Sequence, residues 1–97
     1  MNFTLHPAAG QDLSEAARFY RREAGHGVAL RFLGEFDRVA MLLAREPGLG
    51  TPTSEDRRWF PLHGFPYSLI YRETATGVRI LVVRHQHRDP VYGGARR

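Results

Sequence analysis

Hydrophobic and polar positions near the N-terminus follow first the period of a strand and then that of a helix. Phe3 and Leu5 alternate with polar residues, which predicts a strand over residues 2–6 that is stopped by Pro7. Asp12 precedes apolar residues at helical spacing and has a glutamate three positions later. This capping-box pattern predicts that Asp12 is the N-cap of a first helix.

The strongest helical pattern follows a break at Gly25 and Gly27. Between Val28 and Arg45, apolar residues form a continuous stripe at helical spacing, consisting of Ala29, Phe32, Leu33, Phe36, Val39, Ala40 and Leu43. Charged residues occupy the other side, and Pro47 ends the pattern. Because the break is short, the two helices are predicted to form an antiparallel hairpin.

Strand patterns dominate the second half of the chain, after a loop over residues 46–56 that is rich in Gly, Pro, Thr and Ser. Residues 57–62 form a short pattern interrupted by a proline, which predicts an edge strand. Residues 67–74 combine aromatic and β-branched side chains, and residues 78–87 begin with apolar positions on both faces, as expected for a central strand. The glycine- and arginine-rich residues 93–97 are predicted to be a flexible tail.

The order β-α-α-β-β-β predicts an α+β fold in a single domain over residues 1–97. We expect a helical hairpin packed on one face of a mostly antiparallel four-stranded sheet. No remaining segment is predicted to cover the other face, so that face must be exposed to water or covered by a partner.

Composition narrows the cellular setting. The chain has no cysteine, which excludes disulfides and thiolate metal sites. No apolar run approaches the roughly 18 residues of a membrane span, and the N-terminus lacks the basic and apolar segments of a secretory signal. We therefore expect a cytoplasmic protein that does not contact membranes.

The positive charge is concentrated in the second half of the chain. Residues 1–46 hold six acidic residues and six arginines, whereas residues 47–97 hold four and eight, so the net charge of +4 belongs to the latter. This asymmetry suits an acidic or polyanionic partner. Every basic residue is arginine rather than lysine. A GC-rich genome is one explanation of that bias, and recognition of phosphate is another.

The segment RHQHRDPVY, which follows the last predicted strand, concentrates the candidate chemistry. Strict alternation would place Arg84 on the face of Ile80, and His85 and His87 on the opposite face. Two histidines at this spacing are half of a metal site, but zinc needs three or four ligands and no carboxylate stands at matching spacing. Neither a metal nor another cofactor is expected.

Acid–base chemistry is the alternative use of the same segment. His85 and His87 belong to the residue type that titrates near neutral pH, so either is a candidate for proton transfer in RNA cleavage. Arg84 and Arg88 are candidates to hold the phosphate, and Tyr92 to stack on a base. A strand that leaves the core also commonly ends in solvated charges, so the residues alone leave both interpretations open.

A second basic segment consists of Arg57, Arg58 and Trp59. Neighbouring arginines beside an aromatic ring are typical of a nucleic-acid or partner contact. A lone tryptophan is more often part of a core, and that interpretation is favoured for Trp59.

Four segments together, DLSEAARFY, RFLGEFDRV, FPYSLIYRE and ILVVRHQHRDPVY, resemble the RelE/ParE superfamily of bacterial toxins. These are the toxic halves of type II toxin–antitoxin pairs, and the resemblance covers about residues 3–92. It implies the same β-α-α-β-β-β fold. It also implies a small cognate antitoxin that binds the toxin as a hetero-oligomer through an extended or helical segment, often acidic and amphipathic.

The resemblance implies one of two mechanisms. RelE-like members cut messenger RNA on the ribosome; under that mechanism the histidines, Arg88 and Tyr92 would be catalytic, and Arg57 and Arg58 would contact substrate. ParE-like members bind DNA gyrase and lack the nuclease residues. Ser68 stands where RelE-like nucleases carry a catalytic arginine, which favours a gyrase poison. A ribosome-dependent endoribonuclease and a basic binding module without toxicity remain the alternatives.

Overall fold

The computed structural model describes residues 2–87 and 94–97. The helices and strands are β1 (Asn2–Leu5), α1 (Pro7–Ala24), α2 (His26–Arg45), β2 (Thr51–Pro52), β3 (Arg57–Pro61), β4 (Tyr67–Thr74) and β5 (Gly77–His85). A short 3₁₀ helix, Pro47–Leu49, connects α2 to β2. The predicted order is confirmed, but the prediction of four strands is wrong, because part of the predicted loop pairs as β2.

The five strands lie in the order β1-β5-β4-β3-β2. β1 runs parallel to β5, and all other neighbours are antiparallel. β5 is therefore central, as its apolar character on both faces predicted. β3 pairs with β2 through only two residue pairs, so most of β3 lies at the edge of the sheet, as its proline predicted.

α1 begins earlier than the capping-box pattern indicated. Pro7 occupies the first turn, where a missing N–H costs nothing. The N-cap is His6, whose Nδ1 accepts a hydrogen bond from the Ala8 N–H at 3.1 Å. Asp12 lies more than one turn inside the helix and is buried. The prediction that Asp12 is the N-cap is therefore wrong; its carboxylate contacts the sheet instead.

Gly25 separates the two helices with a φ of 97°, a backbone conformation that favours glycine. α2 starts at His26, so Gly27 belongs to this helix rather than to the hinge. The predicted apolar stripe faces the sheet, and its most buried members are Phe32, Phe36, Val39, Ala40 and Leu43. Of the helices in the described part of the chain, none combines the length and apolar character that crossing a bilayer requires.

The core lies between the helical hairpin and one face of the sheet. Phe32 contacts the rings of Tyr20, Phe65 and Tyr67, with centroids 5.2 to 5.3 Å apart. Tyr67 and Tyr71 of β4 are both buried in this core. These aromatic contacts hold the hairpin on one face of the sheet. The opposite face has no helical layer among the described residues.

A β-bulge in β5 changes which side chains share a face. Tyr71 of β4 pairs with Ile80, and the preceding residue of β4 pairs with Val82, so Leu81 is the extra residue. Ile80 consequently packs in the core under the helices, whereas Val82 and Arg84 belong to the other face. The prediction that Arg84 shares the face of Ile80 is therefore wrong, because strict alternation stops at the bulge.

Candidate functional site

The face of the sheet that is turned away from the helices, called here the open face, is organised in rows that cross the strands. The register of β3, β4 and β5 sets these rows. The first, the cationic row, contains Arg57, Arg72 and Arg79. The second, the apolar row, contains Trp59, Ile70 and Val82. The third contains Pro61, Ser68 and Arg84.

A groove of about 390 Å³ runs along the second and third rows. Trp59, Pro61 and Ile70 provide apolar walls, and Ser68 and Arg84 provide polar ones. Trp59 is 38% exposed, so the interpretation of this residue as part of the core is wrong. Its side chain points to the face that no helix covers, where it is available to a partner.

The two neighbouring arginines of β3 do not form one basic spot. Arg57 faces the open side and is 6% exposed. Arg58 faces the helical layer, where its Nη1 donates to the main-chain oxygen of Gly50 at 2.8 Å. The Gly50 N–H donates to the Tyr71 hydroxyl, which donates to the main-chain oxygen of Pro47, at 2.8 and 2.7 Å. Burial raises the pKa of Tyr71. Arg58 and Tyr71 thus hold the connection between α2 and β2, and the predicted partner contact by Arg58 is not supported by its position.

The two histidines lie together, although only His85 belongs to β5; the strand ends there, two residues earlier than predicted, and His87 follows in a turn. The rings of His85 and His87 have centroids 5.3 Å apart, and the His87 N–H donates to Nδ1 of His85 at 3.2 Å. The ring of His85 also contacts Tyr67 edge-on, with centroids 5.1 Å apart. Within residues 2–87 and 94–97, no group of three His, Cys, Asp or Glu side chains is placed to hold a metal.

Other members of the predicted cationic segment are separated from the histidines or lie outside the described residues. Arg84 lies on the open face, where it pairs across the strands with Ser68. His85 follows Arg84 on the opposite face, where it contacts Tyr67 of the core. Arg88 and Tyr92 fall outside the residues that the structure describes. The two predicted basic segments do not meet among the described residues, because the apolar row lies between Arg57 and Arg84.

The end of the chain, residues 94–97, lies against the sheet; we call it the C-terminal arm. The main-chain oxygen of Arg96 accepts a hydrogen bond from Nη2 of Arg57, and that of Arg97 accepts one from Nε of Arg79 at 3.0 Å. Arg97 also pairs with Glu55 at 2.9 Å. The sequence predicted a flexible tail here, whereas Arg96 and Arg97 are bonded to the open face.

The carboxylate of Asp12 anchors the C-terminal arm. Its Oδ2 accepts from Nη1 of Arg96 at 2.6 Å and from the Val83 N–H at 3.1 Å. The same Nη1 donates to the main-chain oxygen of Leu81 at 3.2 Å. Sequence reasoning missed this contact. A signal was present, because Asp12 stands four positions before Ala16 on the apolar side of α1, where an acid needs a buried partner.

Comparison with known proteins assigns the family. Residues 3–90 match the family model described as the ParE toxin of the type II toxin–antitoxin system parDE. This chain therefore belongs to the ParE family of type II toxin–antitoxin toxins, and the predicted resemblance to the RelE/ParE superfamily is confirmed.

A solved structure described as a chromosomal ParDE toxin–antitoxin system from P. aeruginosa is similar to this chain. The two share 22% sequence identity, with 88% of this chain and 95% of that chain covered, and the TM-score is 0.76. At this identity the likeness establishes the common fold. No protein with a curated description matches the chain significantly.

Proposed function

We propose that this ParE-family toxin acts in the cytoplasm by binding DNA gyrase and trapping its complex with cleaved DNA. The observation that carries the proposal is the family match over residues 3–90. The resemblance adds that Ser68 stands where RelE-like nucleases carry a catalytic arginine. Under this proposal the toxin inhibits by binding, without a catalytic centre of its own.

The positions of the charged groups also favour inhibition by binding over RNA cleavage. Cleavage requires proton transfer and stabilisation of the phosphate charge at the same reacting group. His85 contacts Tyr67 on the helical side, while Arg84 lines the groove of the open face. A guanidinium on the opposite face of the strand does not support a phosphate held at the histidines.

The contact between His85 and His87 is the observation that favours a ribosome-dependent endoribonuclease as the second candidate. Nδ1 of His85 accepts from a backbone N–H, which leaves Nε2 of that ring to carry the proton. Such a histidine is oriented as a general acid would be. This candidate requires Arg88 and Tyr92 to complete the site.

We further propose that a cognate antitoxin neutralises the toxin by covering the open face as part of a hetero-oligomer. The apolar row lies between Arg72 and Arg79 on one side and Arg84 on the other. An acidic amphipathic segment would place apolar side chains on Trp59 and Ile70 and carboxylates on the flanking arginines. An exposed tryptophan within an apolar groove is typical of a residue that dominates binding energy.

A gyrase assay tests the proposed target. The purified chain, added in excess, is expected to inhibit DNA supercoiling and to raise the amount of cleaved DNA. His87→Ala should retain this activity, because the histidines have no role in gyrase binding under the proposal. Unaffected gyrase, combined with breaks in messenger RNA at the ribosomal A site that His87→Ala abolishes, would establish the nuclease instead. Normal growth of an induced host would identify a binding module without toxicity.

The same induction assay tests neutralisation. Co-expression of the product of the neighbouring gene should restore growth, and Trp59→Ala should weaken its binding to the purified toxin. Phe19→Ala provides the matched control, because Phe19 is a similarly exposed aromatic residue, 46%, on α1. Equal weakening by both substitutions would contradict docking on the open face.

A further inference from the structure

The cationic row places three like charges side by side. Arg57 pairs with Arg72 across β3 and β4, and Arg72 pairs with Arg79 across β4 and β5. Side chains at paired positions have Cβ atoms about 5 Å apart, and like charges there are mutually destabilising. Within the part of the chain that the structure describes, no Asp or Glu side chain forms an ion pair with any of the three.

Main-chain oxygen atoms of the C-terminal arm and one hydroxyl oxygen contact this row instead. Arg57 donates to the main-chain oxygen of Arg96, and Arg79 donates to the main-chain oxygen of Arg97 and to Oγ1 of Thr4, the latter at 3.3 Å. Arg57 is 94% buried, and its Nε has no hydrogen-bond acceptor among the described residues. A buried charged donor without an acceptor is costly, so an additional oxygen with negative charge would be stabilised here.

The C-terminal arm lies over the cationic row, but its arginine side chains bind residues outside the row. The guanidinium of Arg96 binds Asp12 and the main-chain oxygen of Leu81 at the border of β5. Arg97 pairs with Glu55 through an exposed ion pair. Among the described residues of the arm, main-chain oxygens contact the guanidinium groups of the row. Displacing the arm would therefore free donors of the row without breaking any strand pairing.

We propose that Arg57, Arg72 and Arg79 form an oxyanion site that takes a phosphate group, and that the C-terminal arm covers this site and competes with the ligand. Guanidinium groups bind phosphate through paired N–H donors and keep their charge at all accessible pH values. Trp59 lies two residues from Arg57 on the same face of the same strand, where an aromatic ring can stack on a base attached to that phosphate. The site is separate from the histidines and goes beyond the proposed action on gyrase.

Binding to the full chain tests the proposal directly. Isothermal titration calorimetry at low salt measures affinity for three probes, which are inorganic phosphate, a short single-stranded oligonucleotide and a glutamate-rich peptide of the same charge. Trp59, the only tryptophan of the chain, reports by fluorescence whether a probe binds beside the row. If phosphate and the oligonucleotide bind with comparable affinity, the free phosphate ion is a sufficient ligand for the site. If the oligonucleotide binds much more tightly, a nucleic-acid strand is the source of the phosphate.

Charge-matched variants separate a site from general attraction. Arg72→Gln is expected to weaken phosphate or oligonucleotide binding by roughly tenfold, because a charge-assisted hydrogen bond is lost. Arg31→Gln removes the same charge from the exposed side of α2 and should leave the affinity unchanged. Equal effects of the two substitutions would overturn the proposal. So would binding of the acidic peptide alone, or the absence of both heat and fluorescence change with every probe.

Two further variants test the covering role of the arm. Arg96→Gln should tighten binding several-fold, because the arm loses its anchor on Asp12. Arg97→Gln removes the exposed pair with Glu55 and a hydrogen bond within the arm to the main-chain oxygen of Arg96. It leaves the bonds of Asp12 intact, so it should tighten binding less than Arg96→Gln without endangering the fold. If neither variant changes the affinity, the arm does not compete for the row and that part of the proposal fails.

Discussion

At the scale of single residues, Glu35 shows how one carboxylate connects two elements. It accepts from Nε and Nη2 of Arg38 on the same helix, each at 2.8 Å, and from the His63 N–H beyond β3 at 2.7 Å. The hydrogen bond from Arg38 is the main cause that lowers the pKa of Glu35, with a smaller contribution from His63 and against the effect of burial. Through these hydrogen bonds Glu35, whose side chain is only 12% exposed, connects α2 to the turn between β3 and β4.

We expect Glu35→Gln to lower stability in a pH-dependent way. The folded-state pKa lies below the unfolded value, so the ionised form stabilises the fold above about pH 4.5, and this contribution disappears as the pH falls through the folded pKa. Near neutral pH the variant should lose about 1 kcal/mol of unfolding free energy, with a smaller difference at about pH 3. Urea unfolding at both pH values measures this. Asp37→Asn, an exposed change on the same helix, is the control. A loss that is equal at both pH values would contradict the role of the charge.

At the scale of elements, Gly34 in α2 and Gly50 before β2 differ in how much space surrounds their Cα atoms. A Cβ added at Gly34, inside α2, would meet nothing within 4 Å. A Cβ added at Gly50 would lie 2.5 Å from the Tyr71 hydroxyl oxygen and 2.8 Å from the main-chain oxygen of Trp59. Gly50 has an ordinary φ of −71°, so its requirement is one of space and not of backbone conformation.

Alanine substitutions at these glycines should therefore change stability in opposite directions. Gly34→Ala is expected to raise the unfolding free energy by about 0.5–1 kcal/mol, because alanine is the better helix former. Gly50→Ala should lower it by about 1–3 kcal/mol, because Tyr71 must leave its hydrogen bonds to make room. Thermal unfolding of both variants gives the sign. Destabilisation by Gly34→Ala would show that α2 has a neighbour on that side.

The elements themselves were predictable because their patterns are local. The bounds of β4 agree with the prediction at both ends, and those of α2 differ only by two residues at its start. Periods of two and 3.6 residues depend on one segment and its burial. The bulge at Leu81 depends on pairing between β4 and β5, and the exposure of Trp59 depends on which face the helices cover. Those features require the arrangement of several elements, so a single segment could not indicate them.

At the scale of the whole molecule, Asp12 connects parts of the chain that are far apart in sequence. It lies on α1 and binds both the main chain of β5 at Val83 and the guanidinium of Arg96. The side chains of Asp12 and Arg96 are only 5% and 17% exposed. The capping-box pattern around Asp12 gave no indication of this contact, because the partner residue, Arg96, lies 84 positions later in the sequence.

A double-mutant cycle on Asp12 and Arg96 measures this connection. Asp12→Ala should lower the unfolding free energy by about 3–5 kcal/mol, because it leaves a partly buried guanidinium and the Val83 N–H without this acceptor. Arg96→Met should cost less, since Asp12 keeps the bond from Val83. The double variant should be more stable than the sum of the single losses predicts, by about 0.5–3 kcal/mol. Additive losses in urea unfolding would mean that the arm does not rest on Asp12 in solution, and the cationic row would then be uncovered in the free toxin.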